Sequence, residues 1–108
     1  MRLTRKKAIE LCIEMWTWLA ETGKHKHQWP GWKKYGDINL NCWFCGYHFQ
    51  QLNRKGENGT VGKCKHCPLW QKYRCLCGKT MYGEWTSALT SRARKKYAKL
   101  FLEQIKAL

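Results

Sequence analysis

Four cysteines carry the clearest chemistry in this sequence: Cys42 and Cys45 in Cys42-Trp43-Phe44-Cys45-Gly46, and Cys64 and Cys67 in Cys64-Lys65-His66-Cys67-Pro68. Each Cys-x-x-Cys pair can wrap the backbone around one ion, and the 18 residues between the pairs (46 to 63) suit a hairpin that brings both to the same ion. Four thiolates hold Zn2+ tetrahedrally; an iron–sulfur cluster fits the same ligands, because spacing alone does not separate the two. Neighbouring Cys-x-x-Cys thiols are poor disulfide partners for each other, so metal accounts for them better than cross-linking does.

Cys75 and Cys77 follow with a single residue between them. That spacing is awkward for both thiols to bind one zinc. Either one of them replaces a ligand of the main site or joins His48 or His66 in a second one, or both are free or buried thiols. A four-thiolate zinc has no open position for water. The chain also holds only four His and one Asp, Asp37, with no His-His or Asp-His pair in the expected hairpin. No catalytic residue is therefore assigned, and the chain reads as a binding protein rather than an enzyme.

Charge points to a class of partner. Lys and Arg number 21 against 7 acidic residues, a formal charge of +14 over 108 residues. Zinc on four thiolates lowers this only to about +12. Such a balance attracts polyanions, nucleic acid first and acidic protein surfaces second. Solubility alone is a weaker explanation, since acidic residues usually serve it better. No signal peptide is visible, and no apolar run approaches the ~20 residues of a membrane span. The expectation is a soluble protein of a reducing cytoplasm with no membrane partner.

The elements that must position these residues form one expected domain over 1–108. Residues 1–23 read as a helix capped by Thr4 and stopped by Gly23. Ile9, Cys12, Ile13, Trp16, Leu19 and Ala20 form its apolar stripe, widened by Leu11, Met15 and Trp18. Cys12 on that stripe reads as a small buried hydrophobe. Residues 24–41 form a basic aromatic loop in which Lys24, Lys26, Lys33 and Lys34 alternate with Trp29, Trp32 and Tyr35; the lysines suit phosphates, and the tryptophans either stack on bases or fold back onto the core.

Residues 42–78 read as the zinc module. Gly46 would turn the chain at positive φ, Tyr47 to Gln51 would form a half-buried strand, and Asn58-Gly59 would turn it into a return strand from Thr60. Pro68 would then open a short helix containing Leu69, Trp70 and Tyr73. A knuckle, a hairpin and a cysteine pair opening a helix is the order of a treble clef; a zinc ribbon is the nearest alternative. Residues 79–108 read as a packed connection and a last helix capped by Thr90 or Ser91. Its expected apolar face is Ala93, Tyr97, Leu100, Phe101, Ile105 and Leu108, with Arg92, Lys95, Lys96, Lys99 and Lys106 projecting elsewhere. The expected fold class is thus a small α+β zinc-binding domain, a treble-clef or zinc-ribbon-like β-hairpin module flanked by N- and C-terminal helices.

One wider combination has a familiar form: Glu14-Met15-Trp16-Thr17-Trp18-Leu19-Ala20-Glu21, then Trp29-Pro30-Gly31-Trp32, then the two cysteine pairs ending in Cys67-Pro68-Leu69. Tyr82 and Trp85 follow, and then Arg94-Lys95-Lys96-Tyr97-Ala98. Over nearly the whole chain this resembles a group of small cysteine-containing hypothetical proteins of tailed bacteriophages. The resemblance brings no established activity. It implies a phage accessory protein acting in the cytoplasm of the host bacterium.

Two functions follow. One is a structural-zinc module that binds nucleic acid or a nucleoprotein through Lys24, Lys26, Lys33, Lys34, Arg92, Lys95, Lys96 and Lys99. The other is an effector that binds a host protein and inhibits or modulates a defence or transcription complex, anchored by exposed Trp29, Trp32 or Trp43.

Overall fold

The computed structural model describes residues 2–36, 43–56, 66–73 and 81–108. Its core is a pair of long helices far apart in sequence. The first, α1 (Arg5–Thr22), begins where the Thr4 hydroxyl accepts the Lys7 N–H at 3.1 Å and ends where Gly23, at φ 69°, donates its N–H to the Leu19 carbonyl at 3.0 Å. Both caps are those the sequence predicts. The last helix, α6 (Ser91–Lys106), starts on Thr90, whose hydroxyl accepts from the Ala93 N–H at 3.1 Å.

The end of α1 meets the beginning of α6, where Arg94 Nε donates to the Gly23 carbonyl at 2.7 Å. With extensive contact between them, the two helices must run antiparallel. The small Ala8 and Ala98, both fully buried, let the helices approach. Leu11, Cys12, Met15, Trp16 and Leu19 of α1 and Phe101, Leu102 and Ile105 of α6 fill the core. The predicted faces are slightly misaimed. Ile9 and Ile13 are only partly buried, and Leu100, expected inside, is 43% exposed. Leu100 lies two residues from Ala98, about 200° around the helix, so a seam centred on Ala98 turns it outward.

Shorter helices close the core on either side. A 3₁₀ turn (Lys26–Gln28) leads into α2 (Gly31–Tyr35), α3 spans Trp43–Arg54, α4 spans Pro68–Tyr73 and α5 spans Tyr82–Ser87. Trp16 is the hub on one side, with its ring edge-on to Trp85 at 4.8 Å, Phe101 at 4.7 Å and Tyr82 at 5.9 Å. Trp29, Trp32, Tyr35 and Trp43 form a second aromatic group, with Trp32 stacked on Trp43 at 5.2 Å and edge-on to Trp29 at 5.1 Å. The Leu3 N–H donates to Gln50 Oε1 at 2.7 Å, fastening α3 to the start of the chain. Lys72 and Tyr73 of α4 donate to the Ala107 and Gln104 carbonyls at 2.7 and 3.2 Å, fastening α4 to the end of α6.

The expected α+β class is therefore corrected. Every regular element among the described residues is helical, and there is no strand or sheet. Tyr47 to Gln51, predicted as a strand, lie within α3, which runs straight through Gly46; that glycine is helical rather than turned. The physical reason is visible in the spacing of Trp43, Phe44, Tyr47, His48 and Leu52. These residues share one face of a helix, and four of them are buried: Trp43, Phe44, His48 and Leu52. The Asn58-Gly59 turn and the return strand from Thr60 lie outside the described residues. The predicted opening of a helix at Pro68 is found as α4.

Candidate functional site

The cysteine region is built from the first turn of α3 and the segment leading into α4. Cys45 is half-buried in the third position of α3, a helix of 12 residues. Cys67 is 3% exposed and immediately precedes α4. A buried histidine contact joins the two segments. The His66 backbone N–H donates to His48 Nδ1 at 3.1 Å, and the two rings lie 5.7 Å apart. His48 stands one helical turn after Cys45, and His66 adjoins Cys67, so the second cysteines of both pairs are carried on segments held side by side.

That contact gives His48 a structural part: by accepting at Nδ1 it clasps the segment before α4 onto α3. The other cysteines of the predicted set, Cys42 and Cys64, lie outside the described residues, as do Cys75 and Cys77. Among the described residues no three metal-ligating side chains converge. The fit to a metal therefore rests on donor chemistry and on the juxtaposed segments: thiolates in close pairs, in a strongly cationic chain that favours an anionic centre.

The basic residues divide by position. Arg92, Lys95, Lys96 and Lys99 are all exposed on α6 at steps of three and four, occupying an arc of about 100° away from Ala98 and Ile105. Gly23 packs against the start of α6, where a Cβ on it would lie 3.2 Å from Lys95 Cγ, while the ammonium of the next residue, Lys24, lies over the Trp18 ring of α1 at 5.9 Å. Glu103, the acidic residue further along α6, is matched to Lys106 at 3.7 Å. Lys26 turns away from the stripe, its ammonium 2.5 Å from the Tyr82 hydroxyl. Lys33 and Lys34 belong to α2, on the aromatic group around Trp43, where Lys34 lies over the Tyr35 ring at 5.1 Å. Four of the eight predicted cations, those on α6, thus form one surface.

Of the two readings of the loop tryptophans, folding back onto the core is the one found, and the exposed anchors expected of an effector are corrected. Trp29, Trp32 and Trp43 are 4%, 8% and 1% exposed, so they are core residues and cannot stack on bases or anchor a partner. The Trp32 indole N–H donates to the Lys26 carbonyl at 2.8 Å, which fixes the loop that precedes it. Sequence reasoning missed a cleft between this loop and α5, lined by His25, Lys26, His27, Tyr82, Trp85 and Thr86. Its signal was the alternation of His and Lys from Lys24 to His27. Among the described residues no helix is long and apolar enough to cross a membrane. The chain matches no known protein family, no curated protein and no solved structure.

Proposed function

We propose that this protein binds nucleic acid, or a nucleoprotein complex, through the exposed face of α6, on a helical scaffold stapled by Zn2+ at Cys42, Cys45, Cys64 and Cys67. It acts as a phage accessory protein in the cytoplasm of the host bacterium, a placement supported by the resemblance of its sequence motifs. The observation that carries the reading is the one-signed stripe of Arg92, Lys95, Lys96 and Lys99 on the exposed face of α6. The stripe spans about 10 Å of helix and offers point charges to a phosphate backbone. These contacts go to phosphates, which position the protein without reading sequence. The metal is structural: four thiolates leave zinc no position for substrate.

A filter-binding or anisotropy titration over a range of salt tests this. About four phosphate contacts predict a slope of log K against log salt of about −4, and Lys95→Ala with Lys96→Ala should reduce it by about 2. Tight binding unaffected by salt or by that double variant would refute the reading. The competing effector has lost Trp29, Trp32 and Trp43 as anchors. What favours it is apolar exposure beside the stripe: Leu89 at 93% and Leu100 at 43%. A host protein captured equally with and without nuclease, and lost with Leu89→Ser, would decide for it.

A further inference from the structure

The bend after α1 and the short helix α5 enclose a cleft of about 290 Å³ that the α6 stripe does not use. Its size is at the lower end for small-molecule sites, room for a phosphate and part of a sugar but not for a duplex. The lining residues His25, Lys26, His27, Tyr82, Trp85 and Thr86 include no acid. The imidazoles of His25 and His27 stack at 5.8 Å with planes 14° apart, and the Lys26 ammonium stands against the Tyr82 hydroxyl at 2.5 Å. Donors collected in this way with no acid among them suit an oxyanion, which accepts hydrogen bonds from ring and ammonium N–H groups together.

The site is also built in advance. The Trp32 indole holds the Lys26 carbonyl at 2.8 Å, the His25 N–H donates to Gln28 Oε1 at 2.9 Å, and the His25 ring rests edge-on to Trp85 at 6.3 Å. Ordering the loop beforehand removes a cost that binding would otherwise bear. Trp85 is 5% exposed, and its indole N–H has no acceptor among the described residues.

We propose that this cleft binds a phosphomonoester, with Lys26, His25 and His27 donating to its oxygens. The phosphate can belong to a free nucleotide or to the end of a strand; the chemistry that recognises it is the same. The proposal stands apart from the α6 stripe and survives if that surface proves to bind protein.

The test is calorimetry and imidazole NMR on the full chain with inorganic phosphate, AMP, adenosine, and a single-stranded oligonucleotide with a 5′-phosphate or a 5′-hydroxyl. Phosphate and AMP should bind and shift the His25 and His27 signals, while adenosine should not. Loss of one charged donor in Lys26→Met should weaken AMP about tenfold or more, and so should His27→Ala, an exposed position whose replacement leaves the fold intact. Tighter binding of the 5′-phosphorylated strand than of its hydroxyl counterpart would support the cleft as a reader of strand ends. Equal binding of both strands alongside a response to AMP would support a free nucleotide. Adenosine binding as tightly as AMP would overturn the proposal. So would phosphate binding that persists in the Lys26→Met, His27→Ala double variant, or that is lost only when Lys95 and Lys96 are replaced.

Discussion

The seam between α1 and α6 and the junction between α3 and α4 solve the same problem, holding together helices distant in sequence, by different means. Along the seam two helices of 18 and 16 residues bury aliphatic and aromatic side chains, with Ala8 and Ala98 allowing close approach and Trp16 wedged among three rings. At the junction the helices have 12 and 6 residues, lengths at which a helix is marginal by itself. A polar contact joins them, the His66 N–H on His48 beside the second cysteine of each pair, at the edge of a core to which they contribute only a few apolar side chains, among them Trp43, Phe44 and Leu69. Packing alone can sustain the seam, whereas the junction is the part of the molecule that gains most from a cross-link.

The largest expected effect exploits that difference. Removing zinc with a chelator, or replacing Cys67 with Ser, should destabilise the α3–α4 region by up to about 10 kcal/mol, because binding a structural zinc and folding its site are one process. Hydrogen exchange should show amides of α3 and α4 losing protection while those of α1 and α6 keep theirs. Chelation that left both regions protected would refute the metal site; simultaneous loss everywhere would refute the independence of the seam. The reciprocal experiment is Trp16→Ala. Deleting a side chain that is 3% exposed from the middle of the seam should cost about 3–5 kcal/mol and lower the thermal midpoint of the whole chain, with zinc content unchanged.

The same contrast explains what could be read from the sequence. The seam was legible because its signals are local: Thr4 and Gly23 bracket a run with a helical period, and Thr90 opens another. The burial of Trp29 and Trp32 was one of two readings, and choosing between them needed the position of Trp43, which belongs to another element. The junction was misread because two local signals competed. The Cys-x-x-Cys-Gly pattern suggested a knuckle and a strand, while the apolar positions of the same stretch repeat with a helical period; burial of Trp43, Phe44, His48 and Leu52 on one face decided for the helix. The cleft at His25 to His27 escaped notice because Tyr82 and Trp85 reach it from more than 50 residues away, and no local pattern reports that.

The smallest effect tests the seam where its two helices touch end to end. Gly23 serves two purposes that different substitutions can separate. Its φ of +69° is one that an L-residue adopts at a cost of about 1–2 kcal/mol, less for Asn than for Ala. Its missing side chain also leaves room for α6: a Cβ there would lie 2.7 Å from the Ser91 carbonyl oxygen, a backbone atom that cannot turn aside. If the backbone angle alone mattered, Gly23→Asn would be much milder than Gly23→Ala. The close approach to Ser91 predicts instead that both cost about 2–3 kcal/mol, since each carries the same Cβ. Denaturant midpoints of the two variants measure the difference. Near equality would show that α1 ends in glycine chiefly to let the start of α6, with Lys95 and the basic stripe behind it, lie directly against it; a clear advantage for Asn would reduce Gly23 to an ordinary helix stop.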